Sequence, residues 1–193
     1  METQTTATTD LFQRFQQRLE AAGGEARYAE DLAGAAAILA AHPALAQRAI
    51  VVPPGFAAHQ PWGEIVPMLA GRGITIHEAG DPASVADFPA GLSSAELAIA
   101  ETGSIMLAEN ALPARVVSML TLTHFALAQA STLYPMLEDA GNALQRLTAP
   151  GPDQRHYISL VTGPSRTADI ERTLTIGVQG PRALYVIIVG EMI

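Results

Sequence analysis

The chain has 193 residues, enough for one domain with a single core that buries roughly 70% of the surface its unfolded form exposes. It contains no cysteine, which excludes disulfides, thiolate zinc sites, cysteine-ligated iron–sulfur clusters and a cysteine nucleophile. With 11 basic against 19 acidic residues the formal net charge is −8, so neither nucleic acid nor an anionic membrane is expected as the main partner, because both reward a positive surface.

The opening METQTTATTD has neither the basic start nor the apolar stretch of a secretory signal, and no run approaches the roughly 20 apolar residues that span a bilayer. A cytoplasmic location without membrane insertion is the expectation. Residues 1–9 are too polar to be held against a core and are predicted to be mobile. Residues 10–193 form the single domain.

The domain is expected to begin with a helix at about 10–22, capped by Asp10, with Leu11, Phe12, Phe15 and Leu19 on one face and Gly23-Gly24 as its stop. An alanine-rich helix from Asp31 to Ala41 ends before Pro43. Ala49 to Val52 is a β-branched run closed by Pro53-Pro54-Gly55 and predicts a strand buried on both faces. A helix from Trp62 to Ala70 and a strand at Ile74 to Ile76 follow. This alternation favours βα units and a parallel sheet.

The middle reads as strands at Leu97 to Ala100, Ser104 to Leu107 and Phe125 to Ala128, with little room for helices between them, which suggests an antiparallel excursion. From Ser131 the spacing of Leu133, Met136, Leu137, Leu144 and Leu147 predicts a helix with Pro135 in its first turn. Strands at Tyr157 to Val161 and Leu184 to Val189 flank a short helix around Ala168 to Leu174. The fold class is α/β, a mixed but largely parallel sheet with helices on both faces.

The richest stretch chemically is Gly163, Pro164, Ser165, Arg166 and Thr167, read as a turn from a strand into a helix start. Open α/β sheets collect ligands beyond strand carboxyl ends, where helix amino ends offer free N–H groups. Gly163 permits close approach, Ser165 and Thr167 add hydroxyls, and Arg166 adds donors suited to phosphate or carboxylate. The competing reading is an ordinary helix cap with Arg166 on the surface.

A second candidate is Glu101 with Thr102, Gly103 and Ser104, where a carboxylate at a strand end could act as base, nucleophile or acceptor for a substrate hydroxyl. Its alternative is a turn residue that accepts backbone N–H bonds. His124 sits in an apolar run and reads first as a satisfied core histidine. Gln179, in the turn Gly177 to Pro181, could donate to a ligand or simply face water. The five histidines are scattered, so no metal site is expected.

These two blocks, Ala98 to Leu107 with Arg115 and Ser118 to His124, and Thr162 to Glu171 with Gly177 to Pro181, resemble the lactate utilization protein C family and its LUD domain. Ser104 stands where the family usually has threonine, and Gln179 where it has histidine. The resemblance implies a fold similar to ribose-phosphate isomerases and coenzyme A transferases. It also implies a subunit of a system that oxidises L-lactate to pyruvate with two iron–sulfur proteins as partners. This chain would bind a small anionic metabolite or cofactor of unknown identity, and would hold no iron–sulfur cluster itself. The alternative is a stand-alone enzyme on a phosphorylated metabolite or a coenzyme A thioester.

Overall fold

The computed structural model describes residues 2–168 and 174–191. A first helix, α1 (Glu2–Ala21), leads to strand β1 (Glu25–Ala29), helix α2 (Leu32–Ala41) and strand β2 (Ala49–Val52). Helix α3 (Ile65–Ala70), strand β3 (Thr75–Glu78), the one-turn helix α4 (Pro82–Val85) and strand β4 (Ala90–Ser94) follow. Next come β5 (Leu97–Ile99), β6 (Ser104–Ala108), helix α5 (Leu112–Leu120) and β7 (Thr123–Gln129). The chain ends with β8 (Leu133–Tyr134), helix α6 (Gly141–Thr148), β9 (Ile158–Val161), the short strands β10 (Arg166–Thr167) and β11 (Thr175–Ile176), and β12 (Ala183–Val189).

Six strands form one sheet, β1-β12-β7-β4-β2-β3, in which every neighbouring pair is parallel. Antiparallel pairing lies in a separate four-stranded sheet, β8-β5-β6-β9, where β6 runs against both β5 and β9, and in the two-residue ladder of β10 with β11. The expected α/β architecture with helices on both faces is therefore present, with every change of strand direction kept out of the six-stranded sheet.

Strand side chains alternate between two cores, as a period of two requires. Ile50, Val52, Leu92, Phe125, Leu127, Tyr185 and Ile187 pack on one face against Leu39 of α2 and Ile65 and Leu69 of α3. On the other face Ala126, Ala128, Val186 and Ile188 pack against Phe15 and Leu19 of α1 and against Ala98 and Ile105 of the small sheet. Val51 meets Val116 and Val117 of α5 on that same side. The outer face of the small sheet, with Leu97, Ile99 and Met106, is covered by Ala143 of α6.

Four expectations change. Helix α1 extends back to Glu2, so Asp10 lies inside it and caps nothing. The middle does hold helices: α5 fits between β6 and β7 because Gly91 of β4 leaves room for Val117 and Thr121, which a Cβ would strike. The helix expected from Ser131 is instead a 3-10 turn, strand β8 and a second 3-10 turn, and only α6, starting at Gly141, is helical. Pro135 directly follows β8, where its missing N–H costs no helical bond. Finally, Arg166 and Thr167 pair with Ile176 and Thr175 in a hairpin rather than capping a helix. The helix expected around Ala168 to Leu174 falls mainly on residues 169–173, outside the described residues.

Asp31 caps α2 as its position suggests, its side chain accepting from the Gly34 amide at 2.7 Å. Asp31→Ala should cost about 1 kcal/mol, read as a melting temperature lower by about 2–4 °C.

Candidate functional site

The carboxyl ends of the parallel strands open into a groove. Asp31 and Leu32 follow β1, His59 to Trp62 follow β2, Ser94 to Glu96 follow β4, Gln129, Ser131 and Thr132 follow β7, and Gly190 and Glu191 follow β12. These residues line two hollows of about 370 and 180 Å³ that share Pro61, Trp62 and Gln129. A third, of about 340 Å³, joins them through Glu96 and Thr132 and is lined by Tyr134, Arg146, Asp153 and Arg155. Loops at this edge of a parallel sheet are where ligands bind, because strands hold them rigidly while their side chains converge on one space.

Arg155 is the partly buried cation of the third hollow. Its Nη2 stands 4.0 Å from Glu96 Oε1, and its Nε is buried with no hydrogen-bond partner. An unmatched guanidinium N–H is costly to bury, whereas the rest of the side chain, one third exposed, stands in the groove wall beside the Glu96 carboxylate. Arg146 lies exposed on the same wall, balanced by Asp153. Half-buried Glu109 sits nearby. Burial raises its carboxyl above the ordinary range, Arg155 opposes that, and Glu96 adds to it. All 11 basic residues of the chain are arginines, so no lysine is present to form a Schiff base.

The residues singled out from sequence lie elsewhere. Gly163, Pro164, Ser165, His124 and Gln179 line one hollow of about 300 Å³, together with Met119, Leu160, Thr162 and Pro181. This hollow adjoins the amino ends of β7 and β12, opposite the groove. None of its lining side chains is a cation or an anion at neutral pH, which fits poorly with an anion cradle.

Arg166 and Glu101 do not share a crevice. Arg166 is exposed on the hairpin and lines none of these hollows. Glu101 turns the other way, its Oε2 accepting from the Leu137 amide at 3.1 Å. Thr102 is exposed, and Ser104 is buried in a hydrogen bond with the Thr162 hydroxyl. Gly103 and Gly163, both at positive φ, let two turns close onto the end of α1. Thr167 belongs to the hairpin.

His124 is 1% exposed, with Nε2 2.8 Å from the Ser93 hydroxyl on the neighbouring strand. Burial pushes its pKa down to about 4, so it is neutral at pH 7. Its place on the inner face of β7 matches the reading of a satisfied core histidine.

The groove residues Glu96, Gln129 and Arg155 were not picked out from sequence. The rule that ligands gather at carboxyl ends applied, but the strand that carries it here, β4, has the sequence Ala-Gly-Leu-Ser-Ser, which lacks a β-branched run. Arg155 follows the Gly151-Pro152 turn with no motif around it. Its only signal was a lone arginine beside a turn.

A six-stranded parallel sheet wrapped by helices, with a small mixed sheet on one face and a groove at its carboxyl edge that sets a few polar side chains among apolar ones, defines a mixed α/β domain. The LUD domain model matches residues 83–189, and the chain belongs to that family. It is 33% identical over 120 residues to lactate utilization protein C from Anoxybacillus flavithermus, covering 62% of this chain and 50% of that protein. It is 33% identical over 99 residues to lactate utilization protein C from Bacillus subtilis, covering 51% and 41%. The chain thus spans about half the length of the curated relatives it matches. A crystal structure of a DUF162 family protein from Deinococcus radiodurans aligns over 95% of this chain and 98% of that one, with TM-score 0.65 and 23% identity, and so shares the fold. Among the described residues, no helix is long and apolar enough to cross a membrane.

Proposed function

We propose that this chain serves lactate utilization by holding a small 2-hydroxy or 2-oxo carboxylate in the carboxyl-edge groove. Its carboxylate would meet Arg155; a 2-hydroxyl would donate to Glu96, whereas a 2-oxo oxygen would accept from the Thr132 hydroxyl. The observation that carries the reading is the Arg155 guanidinium in the groove wall, its side chain one third exposed and its Nη2 4.0 Å from Glu96. A carboxylate is the group that completes a guanidinium, and a hydroxyl beside it is a donor that Glu96 can accept. The names of the relatives support lactate as the hydroxy acid.

Oxidation would fall to partners. A chain without cysteine offers no thiolate for a cluster, which agrees with iron–sulfur proteins as those partners. The anion-binding role first expected of Arg166 passes in this reading to Arg155.

Titration of the isolated protein with L-lactate and with pyruvate, followed by NMR or calorimetry, tests the reading. Arg155→Ala should weaken binding about tenfold or more, in line with the roughly 1.5–3 kcal/mol of a hydrogen bond to a charged group. Arg166→Ala should leave it unchanged. Absence of binding by the native protein, or equal loss in both variants, would overturn the assignment. Turnover of a phosphosugar or coenzyme A thioester by the protein alone would favour the stand-alone enzyme instead.

A further inference from the structure

Most of the large apolar side chains exposed among the described residues gather along one side of the molecule. Leu112 and Met119 stand seven residues apart on one face of α5, Tyr157 and Leu160 lie in and just before β9, and Leu174, Ile176 and Val178 belong to the β11 arm. The hollow bounded by Met119, Leu160, Ser165 and Pro181 lies between these groups. Exposed apolar surface of this extent marks a contact site more often than chance.

The sheet edge at this place is open. β9 ends the small sheet, with β6 on one side and no strand on the other among the described residues. Natural edges are blunted by charge, proline or brevity. β1 carries Glu25 and Arg27, β3 ends in His77-Glu78, and β8 has two residues, whereas β9 is Ile-Ser-Leu-Val with Leu160 half exposed.

Among the described residues, three arginines stand around this edge of an acidic protein. The Arg115 guanidinium lies 4.4 Å over the Tyr157 ring, with its Nε buried and unpartnered. Arg166 and Arg182 are exposed at the other lip, where Arg166 pairs with Ile176 and Arg182 packs on Gly177. Glu109 is the one carboxylate among the residues lining the small cavity between Arg115 and β9. A second copy of the chain would bring these arginines against each other, which disfavours self-pairing.

We infer that β9 receives an extended acidic segment of a partner protein as an added strand, its alternate apolar side chains on the face of Leu160 and its intervening carboxylates on the face of Ser159, toward Arg115, with Arg166 and Arg182 beyond. Main-chain hydrogen bonds give such a contact its affinity and the flanking charges its direction. This surface is lined by other residues than the groove, with Glu109 standing between the two, and the inference does not rest on the lactate reading.

The probe is an acetylated hexapeptide of alternating glutamate and valine, compared with its lysine-for-glutamate counterpart and with an acidic version N-methylated at alternate backbone nitrogens. The acidic peptide should slow hydrogen exchange at amides of residues 158–161, and both other peptides should bind at least tenfold more weakly. Arg166→Glu should reduce acidic-peptide binding several-fold while the melting temperature holds. Equal binding by the acidic and lysine peptides would overturn the charge assignment. Undiminished binding by the N-methylated peptide would overturn strand addition. Protection of β9 that rises with protein concentration and a doubled mass in light scattering would assign the edge to a second copy instead.

Discussion

Gly103→Ala should lower unfolding stability by about 3 kcal/mol or more and the melting temperature by about 6–12 °C, measured by thermal and urea unfolding. Gly103 sits at φ 68°, a backbone conformation that non-glycine residues rarely adopt. A Cβ added there would strike the backbone nitrogen of Leu19 and the carbonyl carbon of Arg18. Neither backbone atom can yield without moving α1, whose Phe15 and Leu19 are fully buried between the two sheets.

Gly163 repeats the arrangement one turn away, at φ 72° and against the carbonyl of Ala22. These two glycines are the clamp that seats the end of α1. Gly151→Ala is the control, since nothing lies within 4 Å of its added carbon, and it should change stability by no more than about 0.5 kcal/mol. A Gly103→Ala protein melting within 2 °C of the native one would show that α1 is not held there.

Stability should also fall steeply in mild acid. His124 has a pKa of about 4 when folded, against 6.5 when exposed, because burial disfavours the imidazolium. The unfolded chain therefore binds the extra proton first. The stabilisation is complete above pH 6.5 and is lost as pH falls toward 4, by about 3 kcal/mol in all. His42, also lowered by burial, acts in the same direction, while the raised carboxyl of Glu109 acts against it.

His124→Asn separates the contributions. It leaves an amide to partner Ser93 but nothing to titrate, so urea unfolding at pH 7.5 and 4.5 should differ by about 2–3 kcal/mol less than in the native protein. An unchanged difference would mean that the imidazole is open to protons in the folded state.

The long, strongly patterned elements were legible in the sequence. The β-branched runs of β2 and β12 and the alanine-rich α2 declare their state because burial on both faces demands continuous apolar side chains. The hairpin of β5 and β6 followed from their closeness. The elements that escaped notice owe their form to their neighbours. β4 is a strand because it fills the gap between β2 and β7, and Arg166-Thr167 is a strand because Thr175-Ile176 pairs with it. Glu101, whose alternative reading was a turn residue accepting a backbone N–H, accepts one in the turn before α6, and Gly103 serves the packing of α1. Arg155 stood in no motif, and only folding brings it beside Glu96.

Strand β7 links the two regions that matter most. From His124 at the hollow beside β9 to Gln129 at the groove it rises roughly 17 Å through the centre of the sheet, hydrogen-bonded on both sides. A strand paired along both sides makes a stiff spacer, and events at its two ends should be thermodynamically blind to each other. Saturating one end should leave the dissociation constant at the other unchanged, and the domain would then tether its small-molecule cargo to a larger assembly without regulating it.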